Sequence, residues 1–167
     1  RIGLVQPAVA VVDAQVEGTH FRRELLAPGD VGWRALVAAA SDVFAMGALP
    51  HAALSALTVP DGYPNDDFEA LIEGVAQAAQ ETGASVVGGN LSRADHLSVT
   101  TTVVGSPLGA PLARSGAVAG DTVYVTGTVG SAALGFRILD SGALVEGREA
   151  FVSRWRRPPS TLSLVKT

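Results

Sequence analysis

The segment Ala35–Gly47 (ALVAAASDVFAMG) reads as a helix that is apolar on nearly every face. Such a helix is buried all round. The rest of the chain must therefore supply layers that cover it, and 47% hydrophobic residues in a chain of 167 can do so. A disordered chain is excluded by the same figure. The longest apolar stretch, Ala35–Leu49, is interrupted by Ser41 and Asp42 and is too short to span a bilayer, so no membrane association is expected.

The layers can be read along the chain. Val9–Val16 (VAVVDAQV) is rich in β-branched residues and predicts a buried strand. Pro28-Gly29-Asp30 punctuates the chain, with Asp30 as a candidate N-cap for a helix from Val31 to about Ala48. Ala52–Val59 predicts a second strand, closed by Pro60-Asp61-Gly62. Asp66 or Asp67 opens a second helix, whose apolar residues Phe68, Leu71, Ile72, Val75, Ala76 and Ala79 follow helical spacing up to Thr82. Gly83 suits the position just beyond its end. Ser85–Val87 predicts a short strand running into Gly88-Gly89-Asn90, and Leu97–Val104 another. After the Gly-, Pro- and Ala-rich stretch 105–120, Asp121–Thr126 predicts a strand and Ser131–Leu139 a helix. The order argues for an α+β fold, a mixed or antiparallel sheet flanked by helices in an N-terminal domain (1–113), followed by the start of a second α/β domain (114–167).

Charge divides near the same point. Residues 1–113 hold 5 Arg against 12 Asp or Glu, a net of −7, while residues 114–167 hold 6 Arg and 1 Lys against 4 acids, a net of +3. An acidic first part argues against nucleic acid as a partner. A phosphate ligand there would need a divalent cation between it and the carboxylates. The absence of Cys rules out disulfides and fits a reducing, cytoplasmic setting. The basic run Arg154–Arg157 before Pro158-Pro159 reads as a solvated helix end and linker.

Asp42 is the most informative single residue. On an all-apolar helix its carboxylate is expected to need a cation or a strong hydrogen-bond set; the alternative is a narrow solvent face shared with Arg34 and Ser41. Asp13 interrupts its strand similarly, and Glu17, Gly18 and His20 follow it as a polar cluster. Gly88-Gly89-Asn90 offers either backbone amides to a phosphate or a tight turn. Gly127-Thr128-Val129-Gly130 before a helix offers amides too, but there is no Walker lysine and no G-x-G-x-x-G. No G-x-S-x-G is present either, so a serine triad is unsupported.

Together these segments resemble the thiamine-monophosphate kinase family, part of the ATP-binding superfamily of aminoimidazole ribonucleotide synthetase, selenophosphate synthetase and the hydrogenase-maturation dehydratase. The matching stretches are Val12-Asp13 with Val16–Phe21 (VEGTHF), Gly32–Leu36, Ser41-Asp42 with Ala45–Ala48, Val87–Asn90, Arg114–Ala117 with Gly120-Asp121, and Tyr124–Gly130, in the family's order. The Glu-Gly-x-His-Phe stretch is the most specific of them. The resemblance implies that Asp13, Asp42 and Asn90 are Mg²⁺ ligands, that Gly89, Asn90 and Arg114 bind ATP, and that His20 contacts thiamine monophosphate. It also implies a homodimer paired through its sheets, and direct transfer of the γ-phosphoryl group of ATP onto the terminal phosphate of thiamine monophosphate. No residue beyond the metal ligands is implied in catalysis, because the nucleophile is already an anionic phosphate oxygen.

Two departures qualify the expectation. Asn90 stands where the family usually has Asp, so one Mg²⁺ would be held more weakly. The family's Gly-Asp-Asp-Ala segment and most of its second domain have no counterpart here, so the chain is expected to be an incomplete catalyst. The competing readings are another member of the superfamily, or a degenerate nucleotide-binding or dimerisation module.

Overall fold

A computed structural model describes residues 8–162 and 165. Its elements run β1 (Val9–Val16), α1 (Pro28–Ala45), β2 (Ala48–Val59), α2 (Asn65–Thr82), β3 (Ser85–Arg93), β4 (Ser98–Pro107), α3 (Ser131–Ser141) and α4 (Arg148–Arg156). The four strands form one mixed sheet in the order β1-β4-β2-β3. β4 is antiparallel to both β1 and β2, while β3 joins the far edge parallel to β2. This is the α+β sheet with flanking helices that the sequence predicts.

Alternation fixes which face is covered. In β4, Val99, Thr101, Val103 and Gly105 are buried and their neighbours are not. They face α1, whose Val31, Leu36, Ala39, Ala40 and Val43 are fully buried. Each such Val or Leu contributes about 1.5–3 kcal/mol relative to an exposed position. The opposite face carries Val12 at 65% exposure and Leu54 at 45%, and no element among the described residues covers them.

Close backbone approach joins α1 to α2. A Cβ on Gly74 would overlap the carbonyl of Gly29, and one on Gly32 would overlap the carbonyl of Leu71. Only glycine lets the two helices come this near. Gly83 then closes α2 in the left-handed region at φ 76°, as its place in the sequence predicts.

Three predicted features are corrected. α1 begins at Pro28 after Ala27, with no side-chain cap, and Asp30 sits in the first turn, where its carboxylate accepts from Arg157 Nε at 2.5 Å. The strand after α2 does not stop at Val87; it continues through Gly88-Gly89-Asn90 to Arg93, because β2 offers a full ladder of partners. Asp121–Thr126 is not a strand. Val123, Tyr124 and Val125 stand 87%, 86% and 67% exposed, with no paired strand among the described residues to satisfy their backbone. The basic run at Arg154–Arg157 is a helix end, as predicted, but half of it is tied down. Arg157 also donates to Gln77 and lies over the Trp33 ring, Arg156 donates to the Leu25 carbonyl, and Trp33 Nε1 donates to the Pro158 carbonyl at 3.0 Å.

Candidate functional site

β1 organises the candidate site. Its odd-numbered residues turn toward the helix layer, with Val9 and Gln15 buried and Asp13 half-buried between them. Asp13 pairs with Thr101, Thr101 with Ser55, and Ser55 with Gly89, so one polar row crosses all four strands. Thr101 is fully buried, and its hydroxyl lies 3.5 Å from that of Ser55.

At one end of β1, Val11 shares a cavity of about 460 Å³ with Asp42, Met46, Ala113 and Arg114. Asp42 and Arg114 are thus brought together from α1 and from the loop after β4, more than seventy residues apart in sequence. Asp42 is nevertheless exposed, which corrects the expectation of a buried carboxylate. The helix ends at Ala45, and near its C-terminus the exposed Asp42 lines this cavity. Ser41 beside it returns its hydroxyl to the Ala38 carbonyl.

At the other end of β1 lies the loop 17–23, closed on itself by several bonds. The amide of Gly18 donates to the Phe21 carbonyl at 2.8 Å, and the amides of Thr19 and His20 donate to the Val16 carbonyl. The Glu17 carboxylate accepts from Arg23 Nε at 2.5 Å and from the Leu97 amide at 3.2 Å. His20 is exposed, and its Nδ1 accepts the Val16 N–H at 3.1 Å. A neutral imidazole bonded in this way carries its proton on Nε2 and presents a donor. Tyr63 sits near this loop with its hydroxyl buried and unpartnered. Burial, and then the charge of Asp67, raise its pKa above the ordinary tyrosine value.

Gly89 and Asn90 do not join the other predicted residues. They lie on β3, three strand spacings from β1, roughly 14 Å at the usual separation of paired strands. Gly89 is accounted for by packing alone, since a Cβ there would overlap the Ser55 backbone. Asp13, Asp42 and Asn90 supply the hard oxygen donors that Mg²⁺ takes, and this ion often needs only one or two carboxylates beside substrate phosphates. Among the described residues, no three His, Cys, Asp or Glu side chains come together as a ready cage. Asp13 on β1 and Asp42 on α1 are thus separate carboxylate donors that would need substrate phosphate to complete a Mg²⁺ shell, and Asn90 lies apart from both on β3.

Sequence reasoning missed Arg23, Leu97, Phe136 and Trp155. Arg23 lies in the 17–23 loop itself, six residues from its partner Glu17, while Leu97, Phe136 and Trp155 reach that loop from far along the sequence, where no local pattern marks them. No helix among the described residues is long and apolar enough to cross a membrane.

Comparison with known proteins places the chain in a family. Residues 2–106 match the family described as AIR synthase related protein, N-terminal domain. The chain is 35% identical over 163 residues to the thiamine-monophosphate kinase of Bacillus subtilis, covering 93% of this chain and 50% of that protein. It superposes on AaThiL complexed with AMPPCP and TMP with a TM-score of 0.89 and 32% identity, covering 95% of this chain and 52% of that one. Hydrogenase maturation protein HypE in complex with ATP superposes less fully, with a TM-score of 0.57, 25% identity, and 65% and 32% coverage. The likeness to the kinase thus extends over the part of this chain that HypE leaves unmatched. The chain spans about half the length of the curated kinases it matches.

Proposed function

This chain belongs to the AIR synthase related family, in its thiamine-monophosphate kinase branch, and from that premise we propose that it serves ATP-dependent phosphorylation of thiamine monophosphate to thiamine diphosphate. A terminal phosphate oxygen of thiamine monophosphate attacks the γ-phosphorus of ATP, the bond to the bridging oxygen breaks, and ADP leaves. Positioning and charge neutralisation carry most of such a transfer. The observation that carries the reading is the layout along β1, with a cavity holding Asp42 and Arg114 at one end and the His20 loop at the other.

The Arg114 guanidinium binds nucleotide phosphate, and His20 holds the acceptor. Asp13, between them on the strand, and Asp42 would hold Mg²⁺, which when bound neutralises the phosphate oxygens. The strand fixes the order of the two ends, so nucleotide and acceptor meet head to head near Asp13. No protein group needs to take a proton from the nucleophile.

A homodimer completes this reading. The open sheet face, with Val12 and Leu54 exposed, is an apolar surface that a second copy would cover. The partner's β3 would then bring its own Gly89-Asn90 toward the first copy's β1. Two half-sites separated within one chain favour this arrangement over a monomeric site. The residues beyond 113 belong, on this reading, to a second domain, in which the 121–126 segment is exposed.

The test is a coupled assay of the full-length protein with ATP and Mg²⁺, comparing thiamine monophosphate with thiamine. Formation of thiamine diphosphate from the monophosphate, with no reaction of thiamine, supports the reading. Equal use of the two, or ATP hydrolysis alone, rejects it.

A further inference from the structure

The two helices after residue 130 form a hairpin. A Cβ on Gly135 of α3 would overlap the Phe151 carbonyl of α4, and the Phe136 and Trp155 ring centroids lie 5.5 Å apart, so the helices pack as one unit. Among the described residues, the polar anchors of this unit fall on two places. The first is the start of α1 with the facing side of α2. Arg157, at the C-terminal end of α4, donates Nε to Asp30 at 2.5 Å and Nη1 to Gln77 at 2.9 Å, and its guanidinium lies 5.4 Å from the Trp33 ring centroid. The second is the segment 17–25, which carries His20. There Arg156 Nε donates to the Leu25 carbonyl at 3.3 Å, and Arg22 pairs with Asp140 of α3. No hydrogen bond or ion pair among the described residues joins 131–157 to the sheet or to the residues lining the Asp42–Arg114 cavity.

We propose that Arg157 is a positioning residue for the acceptor end of the site: by docking α4 on α1 and α2 it holds the α3–α4 hairpin against the segment that carries His20. The proposal rests on the kinase reading above, in which His20 holds the acceptor. Magnitudes single out Arg157. The Arg22–Asp140 pair is about half exposed on both sides, and such a pair contributes little by itself. The Leu25 contact is one bond to a backbone carbonyl. Arg157 makes two side-chain bonds and a stacked contact at once, and its partner Asp30 is only 15% exposed. Once it is docked, the weaker contacts close within one body and act at high effective concentration. The anchored segment has few other tethers, and it belongs to neither a helix nor a strand. Arg157 thus acts on His20 through the hairpin, without touching it, and the nucleotide end lies outside its reach.

The experiment compares full-length wild type, Arg157→Ala and Arg157→Lys by steady-state kinetics and by hydrogen exchange. Arg157→Ala should raise the KM for thiamine monophosphate about tenfold and leave that for ATP within about twofold. Arg157→Lys keeps the charge beside Asp30 but loses the planar fork, so about a threefold rise is expected. Asp30→Asn combined with Arg157→Ala should be no worse than Arg157→Ala alone, because both remove one interaction. Folded variants with both KM values unchanged, or with both raised alike, overturn the proposal. Should Arg157→Ala fail to fold, Asp30→Asn carries the same test, with about a threefold rise in the KM for thiamine monophosphate alone. A wild type that forms no thiamine diphosphate rejects the kinase reading, and hydrogen exchange then decides the positioning role separately. The amides of Thr19 and His20 should exchange about tenfold faster in Arg157→Ala, with those of β4 unchanged. Exchange that is unchanged in the segment, or that rises equally in β4, overturns the proposal.

Discussion

Glu17 holds its own loop from two directions: one carboxylate oxygen accepts Arg23 Nε at 2.5 Å while the other accepts the Leu97 amide at 3.2 Å. The Glu17 side chain is only 17% exposed but Arg23 is 46% exposed, so the bond to the Leu97 amide is the better shielded from water. Three residues on, His20 is held by the same turn through its Nδ1. Glu17 thus braces the loop that carries His20, and the proposed substrate role of His20 would depend on it. Replacing Glu17 by Gln keeps the shape but removes the charge that strengthens both bonds, worth roughly 1.5–3 kcal/mol for hydrogen bonds to a charged group. The KM for thiamine monophosphate should rise about tenfold in Glu17→Gln, with that of ATP unchanged. Steady-state kinetics with each substrate varied in turn checks this, and Glu17→Asp should recover part of the loss.

Tyr63 gives a stability prediction with a definite sign. Its buried hydroxyl has no partner among the described residues, so Tyr63→Phe should be neutral or stabilising by about 1 kcal/mol at pH 7. Its pKa is raised in the folded state above the unfolded value of 10.0. Above that value the unfolded chain loses its proton first, so stability falls as pH rises until the folded group also ionises. Below pH 10 Tyr63 contributes no slope. Chemical denaturation of the wild type and Tyr63→Phe on both sides of pH 10 should show a downward slope that the variant lacks.

The contact of α1 with α2 through Gly29, Gly32 and Gly74 predicts a large effect from a small change. Gly74→Ala places a methyl group into the Gly29 carbonyl and cannot be relieved by a side-chain rotation. Overpacking of this kind costs typically 1–3 kcal/mol, more than the helix propensity gained by alanine. Thermal unfolding should show a lower Tm for Gly74→Ala, whereas Gly62→Ala, with open space around the Cβ, should lose only the cost of its positive φ.

Much of the fold was legible because it is written locally. β1 shows in the β-branched run Val9–Val16, and α2 in the spacing of Leu71, Val75 and Ala79 closed by Gly83. What stayed hidden depends on partners far away. Asp30 looked like a helix cap, but it answers Arg157, 127 residues on. Gly88-Gly89-Asn90 has turn chemistry, yet β2 pairs it as a strand. Tyr124 and its neighbours have strand chemistry, yet find no partner among the described residues. The candidate site divided in the same way. The resemblance marked Asp42, Arg114 and His20, but their placement at two ends of β1 and the aromatic wall opposite His20 came only from tertiary contact.

Asp42 separates function from stability. It is exposed at the cavity mouth, so Asp42→Asn should change folding stability by less than about 0.5 kcal/mol. As a proposed Mg²⁺ ligand it should still matter to turnover, with a drop of about 100-fold or more in kcat, consistent with loss of transition-state charge stabilisation. Unfolding curves and kinase assays on the same preparation decide the matter. Asn90→Asp provides the complement, since added charge at that position should tighten Mg²⁺ binding by titration calorimetry.

β1 separates the proposed nucleotide end of the site from the proposed acceptor end. The most direct measurement is the pair of KM values in full-length Arg114→Ala and His20→Ala variants. Arg114→Ala should raise the KM for ATP about tenfold and leave that for thiamine monophosphate within about twofold, and His20→Ala should do the reverse. Variants that both move the same KM, or that exchange these effects, would contradict the account.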